Sequence, residues 1–76
     1  MYTFKFYYAD NTFLTFEHII KVKYGSASTA VEVPENEILS HKFPISYDLH
    51  LFSEKASHAV SSKNLKTISI TKENPR

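Results

Sequence analysis

The chain contains no cysteine and a single glycine among its 76 residues. Without cysteine it forms no disulfide and offers no thiolate to a metal or a substrate, which agrees with a reducing, cytoplasmic setting. One glycine excludes the glycine-rich loops that hold phosphate groups, because those loops need several residues of free backbone conformation. No serine lies in a Gly-x-Ser-x-Gly sequence, so the nucleophile turn of many hydrolases is also excluded.

Long apolar runs and a strong excess of one charge are absent as well. No apolar run approaches the roughly 18 residues of a membrane-spanning helix, and the N-terminus lacks the basic and apolar regions of a signal peptide. We therefore expect a cytoplasmic protein that does not enter a membrane. The nine basic and eight acidic residues nearly balance. From residue 49 onward bases outnumber acids, but nucleic-acid-binding domains normally carry a stronger basic excess.

The length of the chain predicts one domain over residues 1–72, followed by a frayed tail over 73–76. A domain of this size buries only about 60–65% of its unfolded surface, which leaves it short of stabilising core. Because disulfides are excluded and no metal or cofactor is indicated, a partner chain is the simplest remaining source of stability. We expect a homo-oligomer, most simply a dimer.

The N-terminal segment predicts a β-hairpin. Residues 2–8 alternate between buried and exposed types with the period of two of a strand that has one buried face. The loop that follows ends in Asn11, which tolerates the left-handed conformation required at the third position of a three-residue hairpin loop. This loop pairs Tyr7 with Phe13 and predicts a second strand near 12–16.

The next part of the chain predicts a bend and a short helix. The alternation breaks at 17–18 and resumes over 20–24, which indicates a bend or bulge that lets one strand serve two parts of a sheet. A turn at Gly25 leads to a strand near 29–33. Proline and acids at its end are typical of a helix start, so we expect a short helix or turn near 35–42. Its apolar side would comprise Ile38, Leu39 and Phe43.

Two parts of the chain share one apolar pattern. The pattern of residues 2–7 returns in 47–52, and the spacing Ile19-x-x-Val22-x-Tyr24 returns as Leu65-x-x-Ile68-x-Ile70. A duplicated supersecondary unit is the simplest explanation. It makes three pairs of residues equivalent: Phe4 and Leu49, Phe6 and Leu51, Val22 and Ile68.

The second unit then supplies strands near 46–52, 57–61 and 65–71. Together the segments predict a mostly β fold, α+β at most: a small antiparallel sheet of about six strands in two similar β-hairpin units. One short helix or turn near residues 35–42 joins the two units.

Asp48, His50 and His58 are the only polar residues spaced like a metal or acid–base site. Asp48 and His50 would share one side of a strand, with His58 opposite on the neighbouring strand. The alternative is that all three face solvent, because Tyr47 and the other odd-numbered residues up to 51 occupy the buried face. We predict no metal site, no catalytic residue and no enzymatic activity.

The aromatic residues indicate a surface. If the even-numbered residues of 2–8 face inward, Tyr7 and Phe13 face outward as a cross-strand pair, and Phe52 faces outward in the second unit, beside His58. Outward aromatics can form the apolar patch of a protein interface, or they can be ordinary core if another element covers them. The edge strand that contains Val31 could instead pair with its copy. The predicted interface residues are Tyr7, Phe13, Phe52 and Val31.

A nucleic-acid interface is the alternative use of the same surface. Tyr7 and Phe13 would stack on bases while Lys5, Lys21 and Lys23 contact phosphates. Alternation of lysine and aromatic residues is also typical of any half-buried strand, so the pattern does not decide between the two.

Three stretches carry a resemblance to known proteins. Residues 8–12 (Tyr-Ala-Asp-Asn-Thr), 48–53 (Asp-Leu-His-Leu-Phe-Ser) and 60–66 (Val-Ser-Ser-Lys-Asn-Leu-Lys) resemble segments of small uncharacterised proteins of low-GC Gram-positive bacteria and their prophages. That group carries no assigned activity, so the resemblance implies no functional residue. It implies a cytosolic accessory protein of bacterial or phage origin.

The sequence therefore leaves two hypotheses. The first is a non-enzymatic protein-interaction or assembly module that associates with itself. The alternative is a small nucleic-acid-binding β-domain.

Overall fold

Two antiparallel sheets make up the fold, which a computed structural model describes for residues 1–26 and 28–74. The described residues form seven strands in two sheets, where the sequence predicts about six strands in one sheet, and the mostly β fold class is confirmed. The strands are β1 (Tyr2–Tyr8), β2 (Phe13–Ile19), β3 (Lys21–Tyr24), β4 (Val31–Pro34), β5 (Leu49–Phe52), β6 (Ser57–Val60) and β7 (Leu65–Lys72). A single 3-10 turn, Glu35–Glu37, follows β4. No helix among the described residues has the length and apolar character needed to cross a membrane.

The chain crosses between the sheets twice. The three-stranded sheet has the order β2-β1-β7 and the four-stranded sheet the order β4-β3-β5-β6. At the first crossing Ile19 pairs with Tyr2 in the three-stranded sheet, whereas the Ile20 N–H donates to the Phe52 carbonyl of the four-stranded sheet at 2.8 Å. His18 has a φ of 63° at this point. The predicted bend is confirmed, but it separates two strands of different sheets rather than two parts of one sheet.

The first hairpin has the predicted loop and register. Asn11 has a φ of 70°, and the Tyr8 N–H donates to the Thr12 carbonyl at 2.9 Å. Tyr7 lies opposite Phe13. Within the loop the Asp10 carboxylate accepts hydrogen bonds from the Thr12 hydroxyl and N–H, and these two bonds lower the pKa of Asp10. The loop is thus stabilised by its own side chains.

The second hairpin differs from the sequence-based expectation by one residue. A loop over 54–56 would place Phe52 opposite His58, but the turn covers four residues and is closed by a 2.8 Å hydrogen bond from the Ser53 N–H to the Ala56 carbonyl. Phe52 therefore lies opposite Ser57, and His58 lies opposite Leu51. Because a shift of one residue moves a side chain to the other face, His58 points toward the core.

The pairing of the strands follows the predicted duplication. β1 lies between β2 and β7, and β5 lies between β6 and β3, so the first three strands and the last three have equivalent neighbours. Phe4 lies opposite Ile70 just as Leu49 lies opposite Tyr24. Phe6 lies opposite Ile68, and Leu51 lies opposite Val22. Ile68 and Val22 are themselves one of the pairs that the repeat makes equivalent. β4 is an addition that only the four-stranded sheet has.

The inner faces of the two sheets share one core. Its fully or nearly fully buried members are Tyr2, Phe4, Phe6, Ile19, Val22, Val33, Ile38, Leu49, Leu51 and Val60. Both central strands, β1 and β5, contribute their alternate residues to this list. Burial of these residues is the main source of stability in a chain without disulfides.

The segment between β4 and β5 forms a turn rather than a helix. A helix of two turns is marginal without strong tertiary contacts, and Pro44 limits its extension. Ile38 is fully buried and Phe43 packs edge-on against Phe4 at 5.8 Å, whereas Leu39 is 55% exposed. The predicted apolar side is therefore divided between core and solvent.

β5 begins later than the sequence predicts. The strand starts at Leu49 rather than near 46, so the expected burial of Tyr47 is wrong, and this side chain is 49% exposed. Its ring packs edge-on against Tyr24 at 5.8 Å. The Tyr24 hydroxyl in turn lies 2.6 Å from Nε2 of His41, and these rings attach the segment before β5 to the four-stranded sheet.

The frayed tail predicted over 73–76 falls partly outside the described residues, which end at 74. Glu73 is half-buried, and its N–H donates to the Met1 carbonyl at 3.0 Å. The Glu73 carboxylate also contacts Thr3 and His18. This residue therefore joins the edge strands β7 and β2 across β1, at one end of the three-stranded sheet.

Candidate interaction surface

The outer face of the three-stranded sheet is open to solvent. We use this name for the side chains of β1, β2 and β7 that point away from the core: Thr3, Lys5, Tyr7, Phe13, Thr15, Thr67, Ser69 and Thr71. Apart from Thr3 and Lys5, which are half-buried, these side chains are exposed. Most are small and polar, so a single aromatic pair supplies the apolar part of the face.

Tyr7 and Phe13 form that pair. Their ring centroids are 6.1 Å apart, and the exposed fractions of the two residues are 39% and 57%. Lys5 Nζ lies 5.4 Å from the Phe13 centroid, within the range of a cation–π contact. Phe13 is the only exposed phenylalanine among the described residues. The outward orientation predicted from the hairpin register is confirmed, and the face carries an uncovered aromatic patch.

Phe52 and Val31 lie elsewhere. Phe52 is on the outer face of the four-stranded sheet, stacked on His50 at 4.9 Å and below Lys21 Nζ at 4.7 Å. Its expected position beside His58 is wrong because of the four-residue turn. Val31 is half-buried, lies opposite Tyr24 and packs against the core. The predicted interface residues therefore occupy three separate places.

The lysines of the predicted nucleic-acid interface are divided between the two sheets. Lys5 accompanies Phe13, but Lys21 and Lys23 belong to β3 and project from the outer face of the four-stranded sheet. Lys23 Nζ also lies 3.6 Å from a carboxylate oxygen of Glu32. The aromatic pair and the three lysines therefore do not form one continuous surface.

Asp48, His50 and His58 do not converge. Asp48 Oδ1 accepts hydrogen bonds from the Ser62 N–H at 2.7 Å and from its hydroxyl at 2.8 Å, which lower the pKa of Asp48. His50 faces solvent, whereas the half-buried His58 ring packs on Phe16 at 4.8 Å. Within residues 1–26 and 28–74 no three histidine, aspartate or glutamate side chains are grouped like metal ligands. The solvent-facing alternative is therefore correct for His50 and wrong for His58.

Sequence reasoning missed two polar contacts of the remaining histidines. His18 contacts Glu73 across 55 residues of chain, and His41 contacts Tyr24 across 17. No local spacing in the sequence signals either pair. The first contact joins the bend at His18 to the residue that follows β7, and the second joins the connection between β4 and β5 to the end of β3. Both contacts therefore have a structural role.

Several shallow depressions lie at the surface. One, of about 320 Å³, is lined by Met1, His18, Ser53, Glu54 and Lys55. Its lining contains one histidine and one carboxylate, each at a turn, and these do not form a nucleophile–base pair. The open aromatic patch around Tyr7 and Phe13 therefore remains the strongest candidate surface.

No family model, curated protein or solved structure matches this chain.

Proposed function

We propose that this chain is a non-enzymatic protein-interaction module that also associates with itself. The observation that carries the proposal is the uncovered pair of Tyr7 and Phe13 on the outer face of the three-stranded sheet. Aromatic residues that are uncovered at a surface, with polar residues around them, are typical of protein-binding sites. The resemblance to prophage proteins is compatible with a small cytoplasmic accessory protein of this kind.

The physical argument for binding rests on the apolar area that Phe13 exposes. Burying a phenylalanine side chain completely contributes about 1.5–3 kcal/mol relative to leaving it in water. Tyr7 adds a second ring and a hydroxyl that can hydrogen-bond to a partner. The threonines and serine around the pair provide the polar rim that such a contact needs.

Self-association is supported by the size of the chain and by its open strands. A domain of 76 residues without disulfides has a small core, and burial against a second copy adds to it. Both sheets end in strands with unpaired edges among the described residues. Such edges are the usual sites of strand pairing between chains.

Light scattering at tens of micromolar tests the proposal. We expect a mass of twice the 8.8 kDa of one chain. Phe13→Lys and Val31→Pro locate the contact, because each would lower the mass only if the aromatic patch or the edge of β4, respectively, forms it. Ser57→Lys, on the outer face of the other sheet, is the matched charge control. A stable wild-type monomer at this concentration would overturn self-association.

A salt titration with single-stranded and duplex DNA tests the alternative. A nucleic-acid-binding domain loses affinity steeply as salt rises, because phosphate contacts release counterions. We expect no binding even at about 50 mM salt, since Lys21 and Lys23 lie on the opposite sheet from the aromatic pair. Tight binding with a steep salt dependence would favour the nucleic-acid function.

A further inference from the structure

β7 has the longest open edge in the described part of the molecule. It stands at the end of its sheet and pairs only with β1. It is eight residues long and contains neither glycine nor proline. The other terminal strands are less suitable for pairing: β4 and β6 have four residues each, β4 ends in Pro34, and β2 has the irregular residue His18 near its end. The pairing of β7 with β1 is regular over residues 67–72, and its one register shift lies at the start of the strand, between the pairs Tyr7–Thr67 and Tyr8–Leu65. A long edge is the kind that accepts another strand.

The hydrogen bonds show which residues of β7 direct their backbone outward. Tyr8 donates to Thr12 of the neighbouring hairpin strand, and Glu73 donates to Met1 on the β7 side. Because hydrogen-bonded pairs alternate along antiparallel strands, the odd-numbered residues of β1 and β7 bond to each other. Over the regular part of the strand, residues 67–72, the N–H and C=O groups that point away from β1 are therefore those of Ile68, Ile70 and Lys72.

Seven of the eight residues of β7 read the same in both directions. Residues 66–72 are Lys-Thr-Ile-Ser-Ile-Thr-Lys, with Ser69 at the centre. An antiparallel pair of two such strands, centred on Ser69, places Thr67 opposite Thr71 and Ile68 opposite Ile70 of the other copy. Every residue of the seven meets an identical type of residue. A two-fold dimer requires this self-complementarity.

We propose that two copies of this chain pair edge to edge through β7, centred on Ser69, and form one six-stranded antiparallel sheet. The inference rests on the proposed self-association and names its contact. The outward groups of Ile68 bond to those of Ile70 in the other copy, and Lys66 lies opposite Lys72 at each end of this central part. The two Ser69 residues face each other as a pair without hydrogen bonds between their backbones.

The packing of β7 supports this pairing. Ile68 and Ile70 point toward the core but are only half-buried, so a neighbouring strand covers area that a monomer leaves in water. The duplication points the same way, because β4 covers the edge of β3 that is equivalent to the open edge of β7. The second copy supplies the strand that the three-stranded sheet lacks.

The arrangement has two consequences. A two-fold axis perpendicular to the sheet keeps both outer faces on one side, so the two Tyr7–Phe13 patches form part of one broad surface.

The pairing centred on Ser69 also places Lys66 opposite Lys72 of the other copy, and like charges in that position repel. We therefore expect the dimer to become several-fold tighter as salt rises, the opposite of the salt dependence of nucleic-acid binding.

Cysteine cross-linking of the full chain tests the register, since the wild type has no cysteine. In the Ser69→Cys variant the two Cα atoms would be about 4.5 Å apart, within the range of a disulfide. In the Thr71→Cys variant the two Cα atoms would be about 14 Å apart, which excludes a disulfide between them. We expect a covalent dimer on mild oxidation for Ser69→Cys but not for Thr71→Cys or Thr67→Cys alone. An equal mixture of the last two should cross-link.

Light scattering of two lysine variants completes the test. Ser69→Lys places two lysines face to face at the two-fold axis, while its exposed position leaves the monomer intact. We expect this variant to be a folded monomer and Phe13→Lys to remain a dimer. Three results overturn the proposal: a dimeric Ser69→Lys, a monomeric Phe13→Lys, or no more cross-linking at position 69 than at 71. If the wild type is a dimer and any of these three results is found, the proposed self-association stands and only the β7 contact is overturned. A wild-type monomer would overturn both the self-association and the β7 contact.

Discussion

Glu73 holds the bend at His18. One oxygen of the Glu73 carboxylate accepts a hydrogen bond from the His18 N–H at 2.7 Å, and the other lies 2.9 Å from His18 Nδ1. The same first oxygen accepts a hydrogen bond from the Thr3 hydroxyl at 3.0 Å. His18 has a positive φ, which is unfavourable for a residue with a side chain. The carboxylate therefore stabilises a strained bend from the far end of the chain.

Replacing this carboxylate gives a prediction about pH. The hydrogen bond from the His18 N–H, foremost among several contacts, lowers the pKa of Glu73 in the folded protein. A lowered pKa means that the stabilisation is complete above the ordinary value of 4.5 and is lost as pH falls through the folded-state pKa. We expect Glu73→Gln to cost about 1 kcal/mol at neutral pH.

Urea unfolding of the wild type and Glu73→Gln from neutral to acidic pH measures this effect. The difference between their free energies of unfolding should decrease below the ordinary glutamate pKa. Glu54→Gln, at an exposed position in the turn between β5 and β6, is the control and should change stability by less than about 0.5 kcal/mol. A difference that stays constant down to strongly acidic pH would contradict the role given to the charge.

The first hairpin loop gives a prediction about Asn11. Its φ of 70° is tolerated by asparagine and is easier still for glycine. Asn11→Gly should therefore be neutral or slightly stabilising, and Asn11→Val should lower the free energy of unfolding by about 1 kcal/mol or more. Thermal unfolding followed by circular dichroism measures both. Equal losses for glycine and valine would show that the side chain, and not the backbone conformation, matters here.

Gly25 gives a related prediction with a second cause. Its φ is 102°, and a Cβ atom at this position would lie 2.8 Å from the Thr29 carbonyl oxygen. Gly25→Ala therefore combines backbone strain with a contact to backbone atoms, and we expect a loss of about 2 kcal/mol or more. Asn11→Ala has the strain without the contact and should cost no more than about 1 kcal/mol. Similar losses in the two variants would remove the contact as a cause.

The sequence predicts those parts of the fold that local chemistry decides. The length of the first loop and the tolerance of Asn11 for positive φ determine the register of β1 and β2, which places Tyr7 opposite Phe13. The break in alternation at His18 likewise locates the bend, because the pattern of apolar and polar residues is itself a local feature of the sequence. The apolar repeat also predicts the equivalence of Phe4 and Leu49, because both occupy central strands that face one core.

Features that depend on one residue of register or on distant contacts were not predictable. The side of the sheet that His58 occupies depends on whether the second turn has three or four residues, and no residue there requires a positive φ. The contact of Glu73 with His18 joins residues 55 positions apart. The division of the candidate lysines between two sheets likewise follows from the crossing at Ile20, since Lys5 precedes it and Lys21 follows it.

The turn after β4 gives a prediction that compares two neighbouring residues. Ile38 is fully buried in the shared core although its segment is not a helix, whereas Leu39 is 55% exposed. Truncating a buried isoleucine removes apolar contacts and leaves a cavity, so Ile38→Ala should cost about 2–5 kcal/mol. Leu39→Ala should change stability by less than about 0.5 kcal/mol. Urea unfolding of the two variants measures the difference, and similar effects would mean that this segment does not complete the core between the sheets.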